Sequence, residues 1–180
     1  KINGLYQLLS GNRKNSRMDI ETYVQRHYLE QILEAANQRF QDMSAGQFEL
    51  RMCDIDKAGT GKNRGLDLMV YSAVTGKVRE VRTLSGGESF MAALSLALGM
   101  ADQIQESSAA INLDMMFIDE GFGSLDEHSR DQAVKVLQNM AEGEKLIGII
   151  SHVTELKQEI EDQLIVTKDD QGSHTRWQIS

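Results

Sequence analysis

An α/β fold is predicted, with a mostly parallel sheet flanked by helices, preceded by an antiparallel β unit and one long helix. Three features of the sequence carry that expectation. From Ile20 to Met43 apolar residues recur every three or four positions. From Phe48 the period falls to two. From Leu113 onward, short apolar runs alternate with helical segments, and strands apolar on both faces imply a parallel sheet covered on both sides.

The elements follow in order. Ile2–Ser10 reads as the last turns of a helix broken by Gly11 and Asn12. Asp19 has the character of an N-cap. After it Ile20, Tyr23, Val24, Tyr28, Ile32, Leu33, Ala36, Phe40 and Met43 predict an amphipathic helix nearly 40 Å long at about 1.5 Å per residue, ending before Gly46. Phe48, Leu50 and Met52 alternate with Glu49 and Arg51; Leu66, Leu68 and Val70 form a second run, and Val78, Val81 and Leu84 a looser third after the Thr75-Gly76 turn. A polar loop spans Asp54–Gly65. The Gly86-Gly87 turn opens a strongly apolar helix to about Gln105. Then come a buried strand (Leu113–Ile118), a helix (Asp126–Glu142), a second buried strand (Leu146–Ile150) and a short helix (Val153–Glu161). Two closing strands, Gln163–Lys168 and Thr175–Ile179, flank the Asp169–Gly172 turn. The division expected is 1–46, a helical root, and 47–180, an α/β lobe.

A chain of 180 residues, 41% hydrophobic and 26% charged, is long enough to bury a core and is not a disordered tail. No run reaches the roughly 18 apolar residues of a membrane span. One cysteine, Cys53, excludes an internal disulfide framework and a cysteine-rich zinc site, and with the lack of a span it points to a cytoplasmic protein. The net charge of −8 argues against gripping nucleic acid by bulk charge, though not against a local basic patch. Proline is absent, and nothing in the sequence explains it. The opening at Lys1 leads to the expectation of a fragment.

The chemistry concentrates in four places. Met115-Met116-Phe117-Ile118-Asp119-Glu120 sets two adjacent carboxylates at the carboxyl end of an apolar strand, where α/β sheets bind ligands. An acid there can hold Mg²⁺ and the next can orient or deprotonate a water. Taken alone, Asp-Glu also fits a strand cap. Upstream, Leu84-Ser85-Gly86-Gly87-Glu88 combines two glycines, a hydroxyl and a helix amino end, all favourable to a phosphate, although a lone Ser-Gly-Gly fits a capped turn equally well. Asp126 closes Gly123-Ser124-Leu125-Asp126, and His152 follows the next apolar strand on the same sheet edge.

In this order the four elements resemble the ATP-binding cassette ATPases: a signature at Leu84–Glu88, a Walker B at Met115–Glu120, a D-loop at Gly123–Asp126 and a switch histidine at His152. Phe-Ile-Asp-Glu-Gly-Phe-Gly-Ser-Leu-Asp and Ile-Ser-His-Val-Thr-Glu-Leu resemble the SbcC exonuclease-subunit family, as does the stretch from Met43 to Leu50. The resemblance implies the carboxyl-terminal lobe of an SMC-like ATPase head, acting with ATP and Mg²⁺. Its partners would be an amino-terminal P-loop lobe of the same protein, a second head in a homodimer, an SbcD-like nuclease and DNA, with no membrane. It implies Asp119 as the Mg²⁺ ligand, Glu120 (for the attacking water) and His152 (for the γ-phosphate) as catalytic residues, and Ser85, Gly86, Gly87, Glu88 and Asp126 binding nucleotide.

A P-loop itself is missing. Gly59-Thr60-Gly61-Lys62-Asn63 has Asp56 where the first glycine belongs and Asn63 where a hydroxyl belongs, with no buried strand before it. Asp54-x-Asp56 followed by Gly59 fails as a calcium loop, because Ala58 and Gly65 lack ligand oxygens. The chain by itself is therefore expected neither to bind ATP tightly nor to hydrolyse it. Three other readings fit less of the sequence. An SMC- or RecF-like head that clamps DNA without a nuclease differs in its partner. A pseudo-ATPase has no use for both Glu120 and His152, and an acyl-transfer enzyme lacks the G-x-S-x-G elbow around Ser85.

Overall fold

A computed structural model describes residues 18–54, 65–107, 113–142 and 145–179. The expected helix at Ile2–Ser10, the Gly59–Asn63 stretch and most of the Asp54–Gly65 loop lie outside the described residues.

Helix α1 (Ile20–Met43) starts at Asp19, whose carboxylate accepts the Thr22 N–H at 2.7 Å, as the capping rule requires. Strands β1 (Phe48–Met52), β2 (Leu68–Ser72) and β3 (Lys77–Glu80) form an antiparallel sheet in that order, with Leu50 opposite Val70 and Tyr71 opposite Val78. A short 3₁₀ turn (Val81–Thr83) leads into helix α2 (Gly86–Ser107). Strand β4 (Met115–Asp119) and strand β5 (Leu146–Ile150) pair in parallel across helix α3 (Glu127–Ala141). Helix α4 (Leu156–Glu159) and the hairpin β6 (Gln163–Asp169)–β7 (Gly172–Gln178) complete the chain. The order of the expected elements within the described residues holds and their boundaries move by a few residues, but the third run is a strand only to Glu80: Val81 and Leu84 belong to the 3₁₀ turn and its cap.

Helix α1 is docked by specific contacts. The side-chain amide of Asn37 donates to the Leu50 carbonyl at 2.8 Å and accepts the Leu50 N–H at 2.7 Å, standing in for a neighbouring strand on the β1 edge. Gly99 of α2 lies so close to α1 that a Cβ there would meet the Ile32 carbonyl at 2.7 Å. Arg39 pairs with Asp102 at 2.6 Å, and Lys145 reaches the same carboxylate at 3.5 Å, tying α1 and α2 to the entry of β5. Phe40, Met43, Leu50, Val70, Leu98 and Phe122 form the fully buried centre of one continuous core.

Two expectations about burial are corrected. Leu33, Ala36, Phe40 and Met43 are buried, whereas Ile20, Tyr23, Val24 and Tyr28 are exposed. The reason is rotational: at 100° per residue Ile20, Tyr23 and Val24 fall on the side of α1 opposite Leu33 and Phe40. The β4–β5 pair is also not covered on both faces. Met116, Ile118, Ile147 and Ile149 turn inward, while Met115, Phe117, Leu146 and Ile150 stand in solvent, Phe117 at 66% exposure. Helices α2 and α3 supply one layer only; on the other face the Phe117 ring lies across Gly148 of the neighbouring strand, and no second layer covers it among the described residues.

Candidate functional site

The carboxyl ends of β4 and β5 bring three of the expected site residues together. Asp119 is the last residue of β4 and projects, with Met115 and Phe117, onto the open face. Glu120 follows at φ +59, a left-handed conformation rare outside glycine, and its N–H donates to the Ile150 carbonyl at 2.8 Å. His152 lies two residues past β5, and its Nδ1 sits 2.8 Å from a Glu120 carboxylate oxygen, both side chains being exposed. Two residues assigned separate roles from sequence therefore form one contact pair at the sheet edge.

Gly121 makes this turn possible. Its φ is +97, and a Cβ there would lie 2.1 Å from the Phe90 ring, which packs edge-on against Phe122 at 4.9 Å. The turn after β4 thus closes directly over helix α2.

A second constellation lies apart from the first. Ser85-Gly86-Gly87-Glu88 forms a capping box: the Glu88 carboxylate accepts the Ser85 N–H at 2.7 Å, and the Ser85 hydroxyl accepts the Glu88 N–H at 3.3 Å. A Cβ on Gly87 would meet the Ser124 carbonyl at 2.8 Å, so only glycine lets the Ser85–Glu88 turn approach the segment after β4 this closely. Asp126 is the N-cap of α3. It accepts the Ser129 N–H at 2.9 Å and the Ser129 hydroxyl at 3.0 Å, and those bonds, the backbone one foremost, hold its carboxyl below the usual range.

Ser85, Gly87, Glu88 and Asp126 together line a polar cleft of about 230 Å³, whose third wall is the α1–β1 turn with Ser44 and Gln47. Gly86 sits beside it, 3.6 Å (from an added Cβ) to Ser124. Asp119, Glu120 and His152 do not line this cleft. The site residues therefore divide into two sets, an acid–imidazole edge and a glycine-opened helix cleft.

Sequence reasoning passed over Arg79, Phe90 and the Ser124 carbonyl. Only the Ser85–Glu88 turn that Arg79 contacts left a readable signal: its Ser-x-x-Glu spacing is that of a capping box, which turns the Glu88 carboxylate back on its own helix.

The donor set bears on a metal. Among the described residues no three His, Cys, Asp or Glu side chains cluster tightly enough to hold an ion by themselves. A lone exposed carboxylate such as Asp119 fits Mg²⁺, which keeps most of its waters and commonly arrives with a phosphate.

Residues 66–139 match the family described as SbcC/RAD50-like, Walker B motif. The chain is 48% identical over 91% of its length to the SbcC subunit of the SbcCD nuclease from Treponema pallidum, and 44% identical over 98% of its length to that of Vibrio cholerae. It spans 15% and 17% of those two proteins. Among solved structures, an SMC ATPase studied for ATP-driven dimerization and DNA-stimulated activation superposes with a TM-score of 0.66 at 15% identity, covering 87% of this chain and 88% of that one. The Smc head domain of Pyrococcus furiosus, bound to the C-terminal domain of ScpA, gives 0.61 at 17% identity, covering 87% and 36%. The fold is that of SMC ATPase heads, and the chain belongs to the SbcC/RAD50-like family.

Proposed function

We propose that this chain is the signature-bearing, carboxyl-terminal lobe of an SbcC-like ATPase head, which hydrolyses ATP in a head dimer to control DNA end processing by an SbcD-like nuclease partner. The observation that carries it is the open β4–β5 face. Met115, Phe117, Leu146 and Ile150 present exposed apolar area of a kind that marks a docking surface, and Asp119 stands at the end of the same face. A lobe bringing a P-loop onto that face would bring its phosphates to Asp119.

On this reading Asp119 holds Mg²⁺, which when bound neutralises charge on the transferring phosphoryl group. Glu120 accepts a proton from the attacking water. His152, whose Nδ1 lies 2.8 Å from Glu120, holds that carboxylate in place, and its Nε2 is the nitrogen that would meet the γ-phosphate. Ser85, Gly86 and Gly87 open α2 towards a second head, where the helix amino end and its backbone N–H groups favour phosphate. The separation of the cleft from the acid edge supports this division between the chain's own nucleotide and the partner's. Catalysis then rests on preorganised donors at two surfaces rather than on a covalent intermediate.

The test uses the protein with both lobes. Glu120→Gln keeps size and one hydrogen bond but cannot take a proton, and ATP turnover is expected to fall by roughly 10²–10⁴ with nucleotide still bound. Turnover at the parent rate would remove Glu120 from the role of base.

A further inference from the structure

We propose that Arg79 is a positioning residue for the Ser85–Glu88 turn, acting through Glu88. The inference rests on the reading that this turn faces a second head's nucleotide.

Beyond its own capping box and the close approach of Gly87 to Ser124, the turn has little intrinsic preference for this shape, because two of its four residues are glycines. Arg79 brackets it from both sides. One guanidinium nitrogen donates to the Thr83 carbonyl at 2.7 Å and reaches the Thr83 hydroxyl at 3.3 Å, two residues before Ser85. The other reaches the Glu88 carboxylate at 3.4 Å, and the same oxygen accepts the Ser85 N–H at 2.7 Å. The two points clamped are the entry and the exit of the glycine segment. The anchor itself is firm: Arg79 belongs to β3, and its guanidinium lies 5.6 Å from the centre of the Phe48 ring, which stacks on Phe40 of α1.

Charge gives the pair a second role. Glu88 serves the nucleotide-facing turn as its reciprocal cap rather than by direct contact, since a carboxylate lining the cleft opposes an approaching polyphosphate. The partly buried Arg79 offsets that charge where it arises, and its planar fork reaches Thr83 and Glu88 at once, which a lysine cannot do. Arg79 touches neither nucleotide nor reacting atoms. It holds Ser85 and Gly87 in the geometry that closure of two heads requires.

The experiment follows association of heads in the intact two-lobed protein, by energy transfer between labelled heads, with a non-hydrolysable ATP analogue. Arg79→Ala is expected to weaken analogue-driven association by about five- to twentyfold, the scale of one partly exposed charge-assisted clamp. Analogue affinity of a single head should stay within about twofold. Arg79→Lys keeps the charge and should recover part of the loss. In a Glu88→Gln background, which retains the cap acceptor and removes the carboxylate, Arg79→Ala should cost less than about twofold. Three results overturn the proposal: association unchanged in Arg79→Ala, a loss of equal size with and without Glu88→Gln, or a matching loss of single-head analogue binding and melting temperature that Arg79→Lys does not repair. Ser85→Arg is the control for the underlying reading. If it blocks association while Arg79→Ala does not, only the Arg79 role fails; if it leaves association intact, the assignment of the turn to a second head fails as well.

Discussion

Gly121→Ala isolates the turn that carries the candidate base. Two costs add. The first is backbone: at φ +97 an alanine is held outside the regions open to L-residues, at about 1–3 kcal/mol. The second is steric: the new Cβ would fall 2.1 and 2.2 Å from two Phe90 ring carbons, so the ring must retreat by about 1 Å or more to regain ordinary contact. It has little room, because Phe90 packs edge-on against Phe122, which is fully buried. Overpacking of this kind costs about 1–3 kcal/mol. A total near 3 kcal/mol corresponds to a fall of about 6–12 °C in Tm for a chain this size. Gly76→Ala provides the comparison, since Gly76 has φ +66 but nothing within 4 Å of an added Cβ, leaving only the backbone cost. Urea unfolding followed by far-UV circular dichroism should give an unchanged m-value and a midpoint shift larger for Gly121→Ala than for Gly76→Ala. A loss below about 0.5 kcal/mol at Gly121 would refute both costs; equal losses at the two glycines would refute the role of Phe90.

Two further outcomes are expected. Phe117→Asp places a charge on the open β4–β5 face, beside Asp119; it should leave the melting temperature of this chain nearly unchanged while abolishing its association with a separately produced P-loop lobe, as read by co-purification. Acid should loosen α1 and α3 at their amino ends. The carboxyls of Asp19 and Asp126 are held below their ordinary value of 3.8 by hydrogen bonds from Thr22 and Ser129. Their capping contribution is therefore fully present above that value and is lost as pH falls through the lowered folded-state pKa, so Asp126→Asn should flatten the acid limb of a stability–pH profile.

The element types were legible because their signals are local. Asp19 caps α1 where an aspartate before an apolar run should, and the shift from period four to period two at Phe48 marks the α1–β1 boundary. The positions of Asp119 at the end of β4 and of His152 just past β5 followed from short apolar runs alone. The inner stripe of α1 was read less well. Ile20, Tyr23 and Val24 are apolar at helical spacing, yet they continue a different side of the helix from Leu33 and Phe40, a rotation that spacing over a few turns does not separate.

By itself, then, the sequence determined the secondary structure, the order of the elements and the residue types able to do phosphate and acid–base chemistry, since each depends on neighbours a few positions away. Tertiary structure alone decided how those residues group. It set Glu120 against His152 across two strands, and it brought Gly87 against the Ser124 carbonyl by a close approach of two turns. It also turned Glu88 towards Arg79 and left Phe117 and its neighbours in solvent. These groupings depend on how helices and sheets pack, a property that no short window of sequence contains.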